Sequence, residues 1–316
     1  MTVTLDDIKQ AHQRIQPYIH CTPILQSTQL NKLFTCELFF KADNMQKVGA
    51  FKARGACNAL FSMTQEALAN GVITHSSGNH GAALAWAAAM RKVSCTVVMP
   101  ENAPQAKKDA VLSYGATVVY CEPTMTAREG TVTRLIEQQG ARLVHPYDDD
   151  LIIAGQGTAT LETLAQLDKP ADVLMTPVGG GGLLGGSAIV VKQSPQTAVT
   201  RVIGAEPEAA NDAWLGFRSG ARLAEFVPNT IADGLRGTVG VRNFEIITQH
   251  VDDILLASEA RIVEAMKLIW TRLKIVVEPS AAVPLAAIMD QPEQFNGKRV
   301  AIILSGGNLD LDALPW

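Results

Sequence analysis

Residues 46–56 read Gln46-Lys47-Val48-Gly49-Ala50-Phe51-Lys52-Ala53-Arg54-Gly55-Ala56, which sets Lys52 between Phe51 and Arg54 in a glycine-flanked, otherwise apolar stretch. A lysine usually lays its stem on an apolar surface and keeps its ammonium in water. Taken out of water, its charged form is disfavoured, its pKa falls, and the free amine can attack a carbonyl carbon. One lysine cannot separate these fates. Three distant segments do.

The first is His75-Ser76-Ser77-Gly78-Asn79-His80-Gly81, which runs into the helical stretch Ala82–Met90. Gly78 and Gly81 allow a tight turn and a close approach of backbone to ligand. The amides that open the next helix are free donors at the positive end of a dipole and suit an anion. The second is Pro177-Val178-Gly179-Gly180-Gly181-Gly182-Leu183-Leu184-Gly185-Gly186, after the strand-like run Asp172–Val178 and before a helix-like run through Val191. Its four consecutive glycines expose successive amides, a nest for a phosphate. The third is Leu304-Ser305-Gly306-Gly307-Asn308, after the strand-like Val300–Leu304. Each alone reads as an ordinary turn or helix cap. All four together point to a lysine that holds a phosphate-bearing aldehyde, pyridoxal phosphate.

In these four segments the chain resembles the fold-type-II pyridoxal-phosphate enzymes of the serine/threonine dehydratase family, in the branch of the serine racemases and threo-3-hydroxyaspartate dehydratases. The resemblance extends to Met99–Pro104, Ile153–Thr158, Ile231–Arg236 and Val277–Ser280, so it covers nearly the whole chain. Ala50 departs from it, since many relatives carry Ser there. It implies an α/β, tryptophan-synthase-β-like fold with two parallel-type sheets covered by helices. A small domain, 71–150, would be inserted in a large one, 1–70 and 151–316. The implied cofactor is pyridoxal 5′-phosphate, joined to Lys52 and surrounded by Phe51, Asn79, Gly179, Gly180, Gly181, Gly182, Leu183 and Ser305. In the family pattern Asn79 contacts the 3′-oxygen and Ser305 the pyridine nitrogen.

The resemblance assigns the substrate carboxylate to Ser76, Ser77, Asn79 and His80. Arg128, and with it Arg236, is considered for a second carboxylate, against the commoner fate of a surface salt bridge. The implied reaction is an ammonia-lyase one. Lys52, the general base, takes the α-proton of L-serine, L-threonine or threo-3-hydroxyaspartate, and a 2-keto acid and ammonia result. The alternative is a serine or aspartate racemase in which Lys52 and Ser77 work on opposite faces. Many plain dehydratases have Ala at the Ser77 position.

A reading of another class competes at one segment. Gly180, Gly182 and Gly185 spell G-x-G-x-x-G between a strand and a helix, and the next strand, Arg201–Glu206, ends in an acid. That is a dinucleotide fingerprint and predicts an NAD(P)-dependent dehydrogenase. It leaves Lys52, 75–81 and 304–308 without roles. A weaker imitation, Gly155-Gln156-Gly157-Thr158-Ala159-Thr160, reads as a helix start. Glu206, Ala210 and Asp212 instead match the cation site of serine racemases. Two carboxylates and a carbonyl suit a hard divalent ion, Mg²⁺ or alternatively Ca²⁺ or Mn²⁺.

The remaining features set bounds. With 316 residues, 47% of them hydrophobic, the chain can bury a sizeable core, most simply in two domains. A net charge of -4 with no basic run argues against nucleic acid or an anionic membrane as partner. Five widely spaced cysteines, with no C-x-x-C, indicate neither a disulfide framework nor a zinc site and fit a reducing cytoplasm. No secretion signal or membrane span is expected, and little sequence follows Asn308 for a regulatory domain. The partners expected are a small amino-acid substrate and a second copy of the chain, as a homodimer. Thr4 and Asp7 predict a capped first helix. Strands are expected at Val93–Met99, Thr117–Cys121, Leu143–His145, Asp172–Val178, Arg201–Glu206 and Arg299–Leu304, and helices at Gln105–Tyr114 and Thr126–Gln139 with glycine stops. The acidic run Asp148–Asp150 reads as a solvated loop.

Overall fold

β-branched runs that alternate with helical ones build parallel sheets. The computed structural model describes residues 3–76 and 78–316. Among these residues the strands are β1 (Ile24–Leu25), β2 (Glu37–Lys41), β3 (Val72–His75), β4 (Cys95–Pro100), β5 (Thr117–Cys121), β6 (Arg142–Leu143), β7 (Val173–Pro177), β8 (Arg201–Pro207), β9 (Asp253–Ala257) and β10 (Arg299–Ile303). One sheet has the order β1-β2-β10-β7-β8-β9 and is parallel apart from the β1–β2 pair. The other, β5-β4-β3-β6, is parallel throughout. This is the α/β architecture with two parallel-type sheets that the resemblance implies.

Parallel strands need crossovers and cover on both faces. The helices that provide them are α1 (Leu5–Ile15), α2 (Thr28–Phe34), α3 (Lys52–Ser62), α4 (Asn79–Arg91), α5 (Gln105–Ser113), α6 (Met125–Gln139), α7 (Asp150–Gln166), α8 (Gly182–Gln193), α9 (Asp212–Ser219), α10 (Val241–His250), α11 (Glu259–Leu273) and α12 (Pro279–Asp290). The α1 capping box forms as expected. The Thr4 hydroxyl accepts from the Asp7 amide, and the Asp7 carboxylate accepts from the Thr4 amide. Helix α6 stops at Gly140, whose φ of +67° is a left-handed conformation that costs glycine little.

Three sequence expectations change. The 155–160 segment is the interior of α7, not its start. The helix begins earlier because Asp149 caps it, its carboxylate accepting from the amides of Leu151 and Ile152. For the same reason Asp148–Asp150 is not a free loop. Asp148 also accepts from the amides of Val241 and Arg242 and so caps α10 from outside. Strand β6 covers Arg142–Leu143 rather than Leu143–His145. The glycines of α7 serve packing. A β-carbon on Gly155 would lie 2.5 Å from the Gly55 Cα, and one on Gly186 would lie 2.7 Å from the Gly157 nitrogen. Helices α3, α7 and α8 therefore touch backbone to backbone.

Candidate active site

Lys52 is the first residue of α3. The chain reaches it through an Ala50–Gly306 bridge and a hydrogen bond from the Phe51 amide to the Ser305 carbonyl, 2.9 Å, so two of the sequence segments meet through backbone. The Lys52 Nζ donates to the Pro146 carbonyl at 2.8 Å and lies 5.2 Å from the Phe51 ring centre. Burial pushes its pKa down to about 8, while the nearby Glu278 carboxylate acts the other way. Two residues on, Arg54 is wholly buried and anchors the helix. Its guanidinium binds Asp43 and Glu162, and Lys41 joins Glu162 at 2.7 Å.

Across the cleft, β7 ends and the glycine loop opens α8. Among the described residues, the amides from Gly179 to Leu184 have no hydrogen-bond acceptor. Gly181 has a φ of +89° and forms the turn into the helix. Six free amides at the start of a buried helix form a cradle for a phosphate. A β-carbon on Gly180 would lie 2.1 Å from the Tyr147 ring, so this glycine makes room for an aromatic side chain. The dinucleotide reading of the loop fails on geometry. Glu206 does not line the cleft; it is buried, and its carboxylate accepts from the amides of Ala213 and Trp214.

Phe51, Lys52, Ser76, Asn79, His80, Arg128, Gly179–Leu183 and Ser305 all line one cleft. Ser77 lies outside the described residues. Ser76 accepts from the Gly78 amide at 3.2 Å. The Asn79 amide donates to the Glu278 carboxylate at 2.9 Å and its oxygen accepts from Asn308 at 2.9 Å. His80 is buried with Nδ1 unpartnered. Burial, with Lys52 adding to it, holds its pKa well below the usual imidazole value. Arg128 and Arg236 both line the cleft, and neither pairs with a carboxylate among the described residues. Arg236 donates to the Thr230 carbonyl. The Arg128 Nε is buried without a partner.

Several residues that line the cleft, with His145 beside them, had no role assigned from sequence. His75, His145 and Tyr147 stack edge to face, with centroids 5.7 and 4.7 Å apart along the row. His145 Nδ1 accepts from the amides of Tyr147 and Asp148, which leaves its proton on Nε2. Burial pushes His75 down to about 4, with His145 and Arg128 adding to it. Glu278 is pushed up to about 7 by burial and by Asp233. Lys107 forms an ion pair with Asp233 at the mouth of the cleft. His75, Glu278 and Asp233 belong to quoted motifs, so their neighbourhood was a signal. Lys107, His145 and Tyr147 arrive from elsewhere in the chain.

Apart from the cleft, Glu206 is the penultimate residue of β8, Ala210 closes a short 3₁₀ turn and Asp212 opens α9. Burial and the Asp212 charge hold Glu206 well above the usual carboxylate range, and burial pushes Asp212 up to about 6. The Ala210 carbonyl accepts no hydrogen bond among the described residues. Two buried carboxylates and a free carbonyl fit a hard divalent ion. Among the described residues no third acid, His or Cys joins them, so water would have to complete the coordination.

Residues 15–306 match the model of the family described as pyridoxal-phosphate dependent enzyme. The chain is 49% identical over 313 residues to a β-hydroxyaspartate dehydratase of Paracoccus denitrificans (strain Pd 1222), covering 99% of this chain and 98% of that one. It is 50% identical over 317 residues to a serine racemase of Dictyostelium discoideum, covering 99% and 97%. The crystal structure of serine racemase from Dictyostelium discoideum superposes with a TM-score of 0.92 over 98% of this chain and 100% of that chain. No described helix is long and apolar enough to cross a membrane.

Proposed function

Because the chain belongs to the pyridoxal-phosphate dependent enzyme family, we propose that it is an ammonia-lyase for β-hydroxy amino acids, with threo-3-hydroxyaspartate as the preferred substrate. The carrying observation is Lys52, an amine with its pKa lowered to about 8, in one cleft with the free amides of the glycine loop. Bound pyridoxal 5′-phosphate supplies an electron sink for the α-carbon. The amides from Gly179 to Leu184 would hold its phosphate, and Ser305 would serve its ring nitrogen. Lys52 would take the α-proton as general base. The β-hydroxyl leaves as water. One water returns when the unsaturated product hydrolyses, so the net products are a 2-keto acid and ammonia.

The preference for a dicarboxylate rests on Arg128. Among the described residues its side chain lines the cleft with no acidic partner and a buried, unpartnered Nε, and an arginine in that state suits a planar carboxylate. The α-carboxylate falls to Ser76, Ser77, Asn79 and His80. A racemase reading is favoured by the 50% identical serine racemase and would use Ser77 opposite Lys52. A Mg²⁺, Ca²⁺ or Mn²⁺ ion at Glu206, Ala210 and Asp212, a homodimer, a cytoplasmic location and a small domain at 71–150 complete the proposal.

The test is a panel of L-serine, L-threonine and threo-3-hydroxyaspartate, assayed for keto acid and, by chiral chromatography, for D-isomers. Lys52→Ala is expected to abolish turnover and to leave nothing for borohydride to fix to the chain. Arg128→Ala is expected to raise KM for hydroxyaspartate about tenfold or more while sparing serine, the scale of a lost charge-assisted contact. Equal losses on both substrates would remove the dicarboxylate assignment.

A further inference from the structure

The anion-binding power of a glycine loop depends on where its amides point, and glycine backbone is the least able to hold an orientation by itself. The structure contains a clamp for one of these peptides. Asn243, in the first turn of α10, is completely buried. Its side-chain nitrogen donates to the Gly180 carbonyl at 2.7 Å and to the Tyr147 carbonyl at 3.0 Å. The Gly240 amide donates to the same Gly180 carbonyl at 3.1 Å, so both lone pairs of that oxygen are satisfied. The Asn243 oxygen has no partner among the described residues. The opposite amide orientation would put that oxygen against two carbonyls, so the donors alone fix how the side chain sits.

In a planar trans peptide the carbonyl of one residue and the N–H of the next point in opposite directions. A Gly180 carbonyl held towards Asn243 therefore holds the Gly181 N–H away from it, on the cleft side. We infer that Asn243 is a positioning residue for the cofactor's phosphate: its side-chain amide fixes the Gly180–Gly181 peptide with the donor facing the anion. The fit is close. A β-carbon on Gly181 would lie 2.9 Å from the Asn243 Cβ, so the loop rests directly on this side chain. The neighbouring α10 amides cannot substitute, because those of Val241 and Arg242 are taken by Asp148. The inference rests on the reading of the glycine loop as a phosphate site.

The full-length protein, stripped of cofactor, is titrated with pyridoxal 5′-phosphate and separately with pyridoxal, which has the same ring and aldehyde and no phosphate. The measured quantity is the ratio of the two affinities. Asn243→Ala is expected to lower that ratio about tenfold, the scale of one hydrogen bond to a charged group, with pyridoxal affinity within about twofold of wild type. Asn243→Asp, which keeps the shape and turns the donor into an acceptor, is expected to lower it further. Asn243→Ser, the most conservative of the three, keeps one hydroxyl donor and supplies the comparison should the others not fold; about threefold is expected. An unchanged ratio in the folded variants overturns the inference. So does a parallel loss of both ligands, the mark of a merely structural role. A wild-type protein that binds both ligands equally would instead overturn the phosphate reading of the loop.

Discussion

Asp43 and Glu162 lie as deep in the protein as Glu206 and Asp212, yet Lys41 and Arg54 meet the first pair, while backbone amides alone meet the second among the described residues. The consequences diverge. Hydrogen bonds and charge from Arg54 and Lys41 outweigh burial and lower the Glu162 pKa, and the same contacts raise that of Arg54. At the other site nothing outweighs burial, and both carboxylates move up. Buried carboxylates fully met by the chain's own cations are an anchor, and breaking one contact strands the rest. Carboxylates met by amides alone are what the proposed divalent-ion site would require.

Arg54→Met should have the largest effect. It leaves two buried carboxylates with Lys41 as their only cation and should cost about 3–5 kcal/mol, read as a lower urea midpoint that Mg²⁺ does not restore. Chelation should have a middling one. A divalent ion at about a hundred times its Kd stabilises a fold by about 2.7 kcal/mol. Removing it with EDTA should therefore lower the melting temperature, and Mg²⁺ should recover it. The double variant Glu206→Gln with Asp212→Asn should ignore both additions. A wild type indifferent to EDTA and Mg²⁺ would erase the distinction between the two clusters. The smallest effect belongs to Thr22→Val. Thr22 donates to Asp43 at 2.6 Å inside a network that already holds Arg54, so about 1 kcal/mol is expected from the denaturation midpoint.

Much of the site was legible because its parts are contiguous in sequence. Lys52, 75–81, 177–186 and 304–308 each carry several constrained residues in a row, and the fold brings them to one cleft. Tyr147 lines the cleft, and His145 and Asn243 support it from behind; each comes singly, from a crossover or from the first turn of a helix. A lone His, Tyr or Asn carries no local pattern. The fold shows the same division. The long β-branched runs gave β4, β5, β7, β8 and β10 to within a residue or two. Strand β2 was missed because its ends are Glu37 and Lys41, and a lysine reads as solvent-facing unless its partner is known. Here the partner, Glu162, is far along the chain. The acids at 148–150 misled for a related reason. Their acceptors are filled by amides of α7 and α10, and only the folded chain shows that α10 is adjacent.

The glycine contacts among α3, α7 and α8 have a mechanical consequence. Lys52 begins α3 and the phosphate cradle begins α8, and each helix lies with bare backbone against α7. Side chains add to these backbone contacts: the Gln156 oxygen accepts from the Gly55 amide at 3.1 Å, and Thr160 donates to Ser187 at 2.7 Å. The span from the amine to the cradle is thus bridged by three helices packed at glycine contacts. In the proposed reading, a cofactor held at Lys52 and at the glycine loop would keep its ring in register between two ends of one packed helix layer.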